Sequence, residues 1–297
     1  MTPTARTRIT RAFTDAGVTG RLHATDIDTG ATLTLDADLD TPTASVHKLC
    51  VIAALYRHAA HGHLDLRQPV DIPAEGRSPG ATGLATMRDT ARLSLRDLAT
   101  LAVALSDNTA ADLLIDAIGL DTVNRTMTDL GLHRTIAVHT MRELYATLHD
   151  DAHGTPAALT DPTVVTRLRA LDPTRTNRST AREIATLLAA IWRDEVCTGT
   201  HAQELRDVLG LQAWSHRLAA GFPFDDVRVS GKTGSLPTLR HEAGVVEYPD
   251  GGRYAVAVFT RSAATTVTLP AADRAIGTAA RIAVDALRAS GQEGARE

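Results

Sequence analysis

Hydrophobic and polar positions follow two rhythms along this chain, and the two are segregated. A short helix is expected near the amino terminus, over residues 6–16. Strand-like runs follow at 22–27 and 31–35, separated by Asp28-Thr29-Gly30, residue types that suit a tight turn. The middle of the chain reads as helical. Residues 48–60 are apolar on nearly every face, the pattern of a helix buried on all sides, and the run stops near Gly62. Ser94-x-x-Asp97 reads as a capping box ahead of a stripe of Leu98, Leu101, Ala102 and Leu105. Another helix covers 109–118 and is stopped by Gly119. Thr180-x-x-Glu183 opens a third, with Ile184, Leu187, Leu188 and Ile191 turned inward. Strand patterning returns late, at 227–230, 243–248 and 254–260, with Pro249-Asp250-Gly251-Gly252 as the turn between the last two. A closing helix is expected over 271–289. Residues 132–177 are the least regular stretch.

This order is helix, two strands, a long helical block, three strands, helix. It predicts an α+β fold with one five-stranded antiparallel sheet built from both ends of the chain. Helices flank the sheet, and an all-helical region is inserted between its halves. The corresponding division is an α/β sheet domain of residues 1–46 plus 226–297 and an all-helical domain of residues 47–225.

Composition narrows the function classes. A chain of 297 residues, 43% hydrophobic and 22% charged, can build a large core unaided. Its net charge of −4 points to neither a nucleic-acid nor an anionic-membrane partner. No apolar run approaches the roughly 20 residues that span a bilayer. No apolar signal core follows the first residues, which reads as a cytoplasmic protein, although a chain trimmed of its signal would be secreted. Cys50 and Cys197 are expected to be free thiols. His58, His61 and His63 cluster at a helix end without an Asp or Cys to complete a ligand set, so no metal or other cofactor is expected. Trp192 and Trp214 are assigned to the core.

The lysines change the picture. Of 31 cationic residues only Lys48 and Lys232 are lysine, and the other 29 are arginine. Arginine replaces lysine freely on a solvated face. It cannot replace an amine that must lose its proton. Lys48 closes Ser45-Val46-His47-Lys48, where strand-like sequence gives way to the buried helix. Residues three apart share a helix face, so the amine can reach the hydroxyl. A serine hydroxyl needs such a base, and a desolvated lysine can supply it. Ser106-Asp107-Asn108 falls between two helices, where such residues also serve as caps. Lys232-Thr233-Gly234-Ser235 ends a β-rich run, and Gly231 and Gly234 let another backbone or a ligand come close.

Together, in this order, the three motifs resemble those of the penicillin-recognising serine enzymes, most closely the class A β-lactamase-related serine hydrolases. Asn177-Arg178-Ser179-Thr180 and residues 240–246 also look familial. The resemblance implies a β-lactamase/transpeptidase-like fold and an acyl-enzyme mechanism. Toward a small-molecule substrate, Ser45 would be the acylated nucleophile and Lys48 its base or proton shuttle. Ser106 would relay a proton to the leaving group, and Asn108 would hold Lys48 and the substrate amide. Lys232, Thr233 and Ser235 would bind a substrate carboxylate, with Arg240 as a further candidate. The N–H groups of Ser45 and Ser235 would form the oxyanion hole.

One part departs from the family pattern. Class A enzymes carry a water-activating glutamate in Glu-x-x-Leu-Asn. The corresponding stretch here is Met141-Arg142-Glu143-Leu144-Tyr145, with Met141 in the glutamate's place and Tyr145 in the asparagine's. Glu143 is the candidate deacylation base, two residues late. The sequence therefore predicts a β-lactamase-like serine hydrolase acting on a carboxylate-bearing amide, lactam or ester, with impaired deacylation. The alternatives are an acyltransferase, esterase or cyclase of small-molecule metabolism, and a β-lactam-binding protein that acylates and stalls.

Overall fold

The computed structural model describes residues 3–294, with the side chains of 291–294 left aside. In chain order the strands are β1 (Val18–Asp26), β2 (Thr32–Leu35), β3 (Thr41–Pro42), β4 (Pro69–Ile72), β5 (Ala91–Ser94), β6 (Arg178–Ser179), β7 (Arg228–Leu236), β8 (Leu239–Glu247) and β9 (Arg253–Ser262). The helices are α1 (Ala5–Asp15), α2 (Lys48–Ala60), α3 (Leu95–Ala104), α4 (Asn108–Ile118), α5 (Leu120–Asp129), α6 (Met141–Asp151), α7 (Pro162–Val165), α8 (Ala181–Trp192), α9 (Gly199–Leu209) and α10 (Pro270–Gly294).

The expected five-stranded sheet forms in the order β2-β1-β9-β8-β7, and each neighbouring pair is antiparallel. Alternation along β8 and β9 sends side chains to two different cores. Val246, Val256 and Val258 meet Ile9 and Phe13 of α1 and Ile276 and Val284 of α10. Ala243, Val245, Ala257 and Phe259 join the core of the helical region, which includes every apolar residue of α2 from Leu49 to Ala59. That is why α2 lacks a polar face.

Two features differ from the sequence expectation. The inserted region is not purely helical, because β4 pairs with β5 and β6 pairs with β3. These pairs are two to four residues long, too short to show a period. Strand β7 also does not end at the glycine motif but runs through it to Leu236. Gly231 stands opposite Gly244, where a Cβ would lie 2.3 Å from the Ala243 carbonyl oxygen. Gly231 and Gly244 mark tight pairing of β7 with β8. Residues 132–177 hold α6 and α7 joined by short 3-10 turns. Cys50 and Cys197 are free and buried.

Candidate active site

The Ser45-x-x-Lys48 motif begins where β3 ends its short pairing with β6. The Thr43 N–H donates to the Asn177 carbonyl at 2.9 Å, and Ala44 then takes φ +48°, a left-handed conformation that costs a non-glycine residue energy. The chain turns sharply into a 3-10 turn, Ala44–His47, which continues as α2. Ser45 is half-buried at the mouth of this elbow. Lys48, one turn on, is 1% exposed. Its Nζ donates to the Ser106 carbonyl at 2.5 Å, Ser106 Oγ at 3.3 Å and Asn108 Oδ1 at 2.7 Å. None of these bonds goes to Ser45. Desolvation pushes the amine down to about 7, opposed by the negative charges of Asp107 and Asp112. A large share of the amine is therefore neutral at neutral pH. His47, between the two, is buried and held neutral by desolvation, its ring lowered to about 4.

The second motif uses each residue for a separate task. Ser106 adopts φ +58° and lines the cavity. Asp107 is fully buried and caps α4 by accepting the Ala110 N–H, while its other oxygen accepts the Leu84 N–H at 2.7 Å. Gly83 permits this approach, because a Cβ there would lie 2.1 Å from the Asp107 carboxylate. The Asn108 amide donates to the Pro79 carbonyl at 2.6 Å, which leaves Oδ1 aimed at Lys48.

The third motif lies on the free edge of the sheet, since β7 has β8 on one side only. The Thr233 N–H points off that edge and donates to Gln212 Oε1 at 2.5 Å. N–H groups two residues apart on a strand point the same way, so that of Ser235 also faces outward, toward the turn that carries Ser45. Gly234 brings the two together: its Cβ would meet the Thr43 oxygen at 2.9 Å and the Val46 nitrogen at 3.0 Å. Lys232 is 0% exposed, and its Nζ donates to the Thr233 carbonyl at 2.9 Å. Burial, and then the neighbouring Lys48 charge, hold its amine well below the ordinary lysine range.

The motifs converge on a cavity of about 350 Å³ lined by Ser45, Ser106, Asn108, Thr233, Gly234 and Ser235. Its outer wall adds residues that the sequence analysis missed or misplaced. Arg217 is 4% exposed, with its guanidinium on Ser235 Oγ (2.7 Å), the Gly234 and His241 carbonyls (3.0 and 2.9 Å) and Asp273 (2.7 Å). Trp214 is 37% exposed at the rim beside His216, not in the core as expected. The irregular segment carrying both gives no periodic signal, and one arginine among 29 attracts no notice.

Besides the two buried lysines, of which Lys232 was expected to touch substrate, two candidates stand outside the cavity lining. The Arg240 guanidinium is spent on the carbonyls of Leu236, Leu239 and Val267 and does not line the cavity. Glu143 is exposed and completes a capping box at the start of α6, accepting the Thr140 N–H at 2.8 Å, a bond that holds its carboxyl below the usual range. It too lies outside the cavity lining. Its place as a base is empty of acids: Met141 is buried, and Tyr145 faces the cavity. The buried carboxylate nearby, Asp112, is saturated by the N–H groups of Met141 and Arg142 and by Ser78 Oγ.

The comparisons with known proteins concern the family and the fold. A model of the "Beta-lactamase enzyme family" matches residues 4–287. The β-lactamase regulatory protein BlaB of Streptomyces cacaoi is 34% identical over 93% of this chain and 95% of its own length. A β-lactamase of Sphaerobacter thermophilus superposes with a TM-score of 0.78 at 26% identity, covering 97% of both chains. A β-lactamase of Chitinophaga pinensis shares the fold with a TM-score of 0.80 at 21% identity, covering 95% of this chain and 99% of its own. By sequence over nearly its whole length, and by fold, this chain belongs to the β-lactamase enzyme family.

Proposed function

We propose that the protein is an acyl-enzyme-forming serine hydrolase that reacts at Ser45 with carboxylate-bearing lactams, and that it acylates faster than it deacylates. The observation that carries this reading is the Lys48 amine, buried, lowered to about 7 and fixed by Ser106 and Asn108 beside the cavity that Ser45 lines. In the reaction, Ser45 Oγ loses its proton to neutral Lys48 and attacks the lactam carbonyl. The oxyanion is held by the N–H groups of Ser45 and Ser235. As the C–N bond breaks, Ser106 Oγ gives its proton to the leaving nitrogen and is reprotonated by Lys48, to which it is hydrogen-bonded. The product is an ester at Ser45.

Arg217 and Ser235 form the carboxylate anchor at the cavity wall, in place of Arg240. Lys232, shut away from the cavity, acts on the field around Lys48 rather than by touching substrate. Water attack on the ester lacks a placed carboxylate, because Glu143 is engaged in its cap. The relation to BlaB, a regulatory protein by name, favours a second reading with the same chemistry, in which a long-lived acyl-enzyme is itself the signal. The partner in both readings is a small molecule. Among the described residues no helix is long and apolar enough to cross a membrane.

The test is intact mass over time with a panel of β-lactams and activated esters. One adduct on the Ser45 peptide, formed quickly and lost slowly, is expected. Absence of any adduct, or labelling that persists in Ser45→Ala, overturns the assignment. Steady turnover of a chromogenic cephalosporin with no burst overturns the slow second step.

A further inference from the structure

The segment that brings Trp214, His216 and Arg217 to the cavity has no helix or strand of its own, yet both its ends are tied to one buried side chain. Glu242 lies on β8 directly across from Thr233 and is 0% exposed. Its Oε1 accepts from Gln212 Nε2 at 2.7 Å, and its Oε2 accepts from the Leu218 N–H at 2.6 Å. Gln212 extends the connection, because its own Oε1 accepts the Thr233 N–H on the free edge of β7. A single carboxylate therefore clips the residues on either side of 213–217. Through Gln212 it also holds the strand whose Ser235 shares the Arg217 guanidinium. Both oxygens act as acceptors. A carboxamide at this position would turn an N–H toward one of two N–H donors and release one end of the clip.

We propose that Glu242 is a positioning residue for acylation: by holding Gln212 and the Leu218 N–H, it sets where the Arg217 guanidinium stands and thus how the substrate carboxylate is recognised. This rests on the reading of Arg217 as the carboxylate anchor. Glu242 touches no substrate, and its effect is confined to reactions that use that anchor. A purely structural buried acid would instead affect every reaction of Ser45 alike.

The test compares two reagents on wild type and Glu242→Gln. One is a carboxylate-bearing chromogenic cephalosporin; the other is an uncharged fluorophosphonate that needs only Ser45 and its base. Misplacing the anchor by about an ångström should slow cephalosporin acylation on the order of 10- to 100-fold while changing fluorophosphonate labelling by less than about threefold. In an Arg217→Ala background, Glu242→Gln should add nothing further, because the two act as one unit. Equal slowing with both reagents, or no slowing with either, overturns the proposal. If Glu242→Gln does not fold, Gln212→Leu severs the same link with the carboxylate intact, and its reagent split decides by the same criteria. If wild type labels with neither reagent, the acylation reading falls, and the clip is judged by acrylamide quenching of Trp214 in a Trp192→Phe protein. Stronger quenching in Glu242→Gln than in its parent supports the clip, and unchanged quenching overturns it.

Discussion

On the proposed reading, the wall assigned to acylation and the wall where a deacylation base would stand are built to different standards. On the first, the polar groups of Lys48, Ser106, Asn108, Ser235 and Arg217 are bonded to one another or to backbone beside the nucleophile. On the second, α6 begins with an apolar Met141. Its acid, Glu143, caps the helix and faces solvent, and Tyr145 fills the nearby lining. Both walls use the same devices of helix termini, caps and buried carboxylates. In the first they aim functional groups at the cavity, whereas in the second they are consumed in holding the loop together. A polar residue of the right type near a site is thus uninformative until its hydrogen bonds are counted.

The contrast can be broken at several points. The largest effect is expected at Lys48. If it acts by losing a proton, Lys48→Arg should be nearly as damaging as Lys48→Ala, with acylation falling about 10²–10⁴-fold in a rapid-mixing assay. Retention of most activity in the arginine variant would mean that charge alone suffices. Next comes Arg217→Ala. Loss of a charged hydrogen bond to a carboxylate should weaken cephalosporin acylation about 10- to 100-fold, as the second-order constant k2/K would show. A loss confined to Arg240→Ala instead would restore the expectation drawn from sequence.

The pH profile is a smaller test. The amine of Lys48 is lowered to about 7, so its neutral form predominates above that pH and declines below it. Acylation should rise through pH 7 and fall about tenfold per pH unit on the acid side. A flat profile between pH 5.5 and about 8.5 would exclude a titrating base. The smallest effect is expected at Glu143. Glu143→Gln should leave acyl-enzyme lifetime unchanged and lower stability by less than about 0.5 kcal/mol, since a carboxamide oxygen can still accept the Thr140 N–H, readable as a small shift in Tm. A lengthened lifetime would return Glu143 to the chemistry.

Legibility in the sequence followed the range of the interaction. The sheet, the buried α2 and the three motifs were readable because their geometry is set by neighbours within one turn or by strict alternation. Ser45 and Lys48 illustrate this: a spacing of three places them on one face before any tertiary contact is known. Arg217 was not readable, since its position depends on Ser235, Asp273 and the His241 carbonyl, all distant in sequence. Arg240 was misplaced for the same reason: long-range carbonyls claim its donors. The cap that engages Glu143 had a local signal, Thr140-x-x-Glu143, with the same spacing as Ser94-x-x-Asp97 and Thr180-x-x-Glu183, whose hydroxyls also cap their helices.

The burial of both lysines has a consequence for handling the protein. With Lys48 1% exposed and Lys232 0% exposed, the folded surface carries no ammonium side chain at all. While the fold is intact a succinimidyl ester finds neither lysine amine, and an adduct on Ser45 would be an ester rather than an amide. Modification at Lys48 or Lys232 then requires the core to open, so amine tagging of this chain serves as a clock for unfolding.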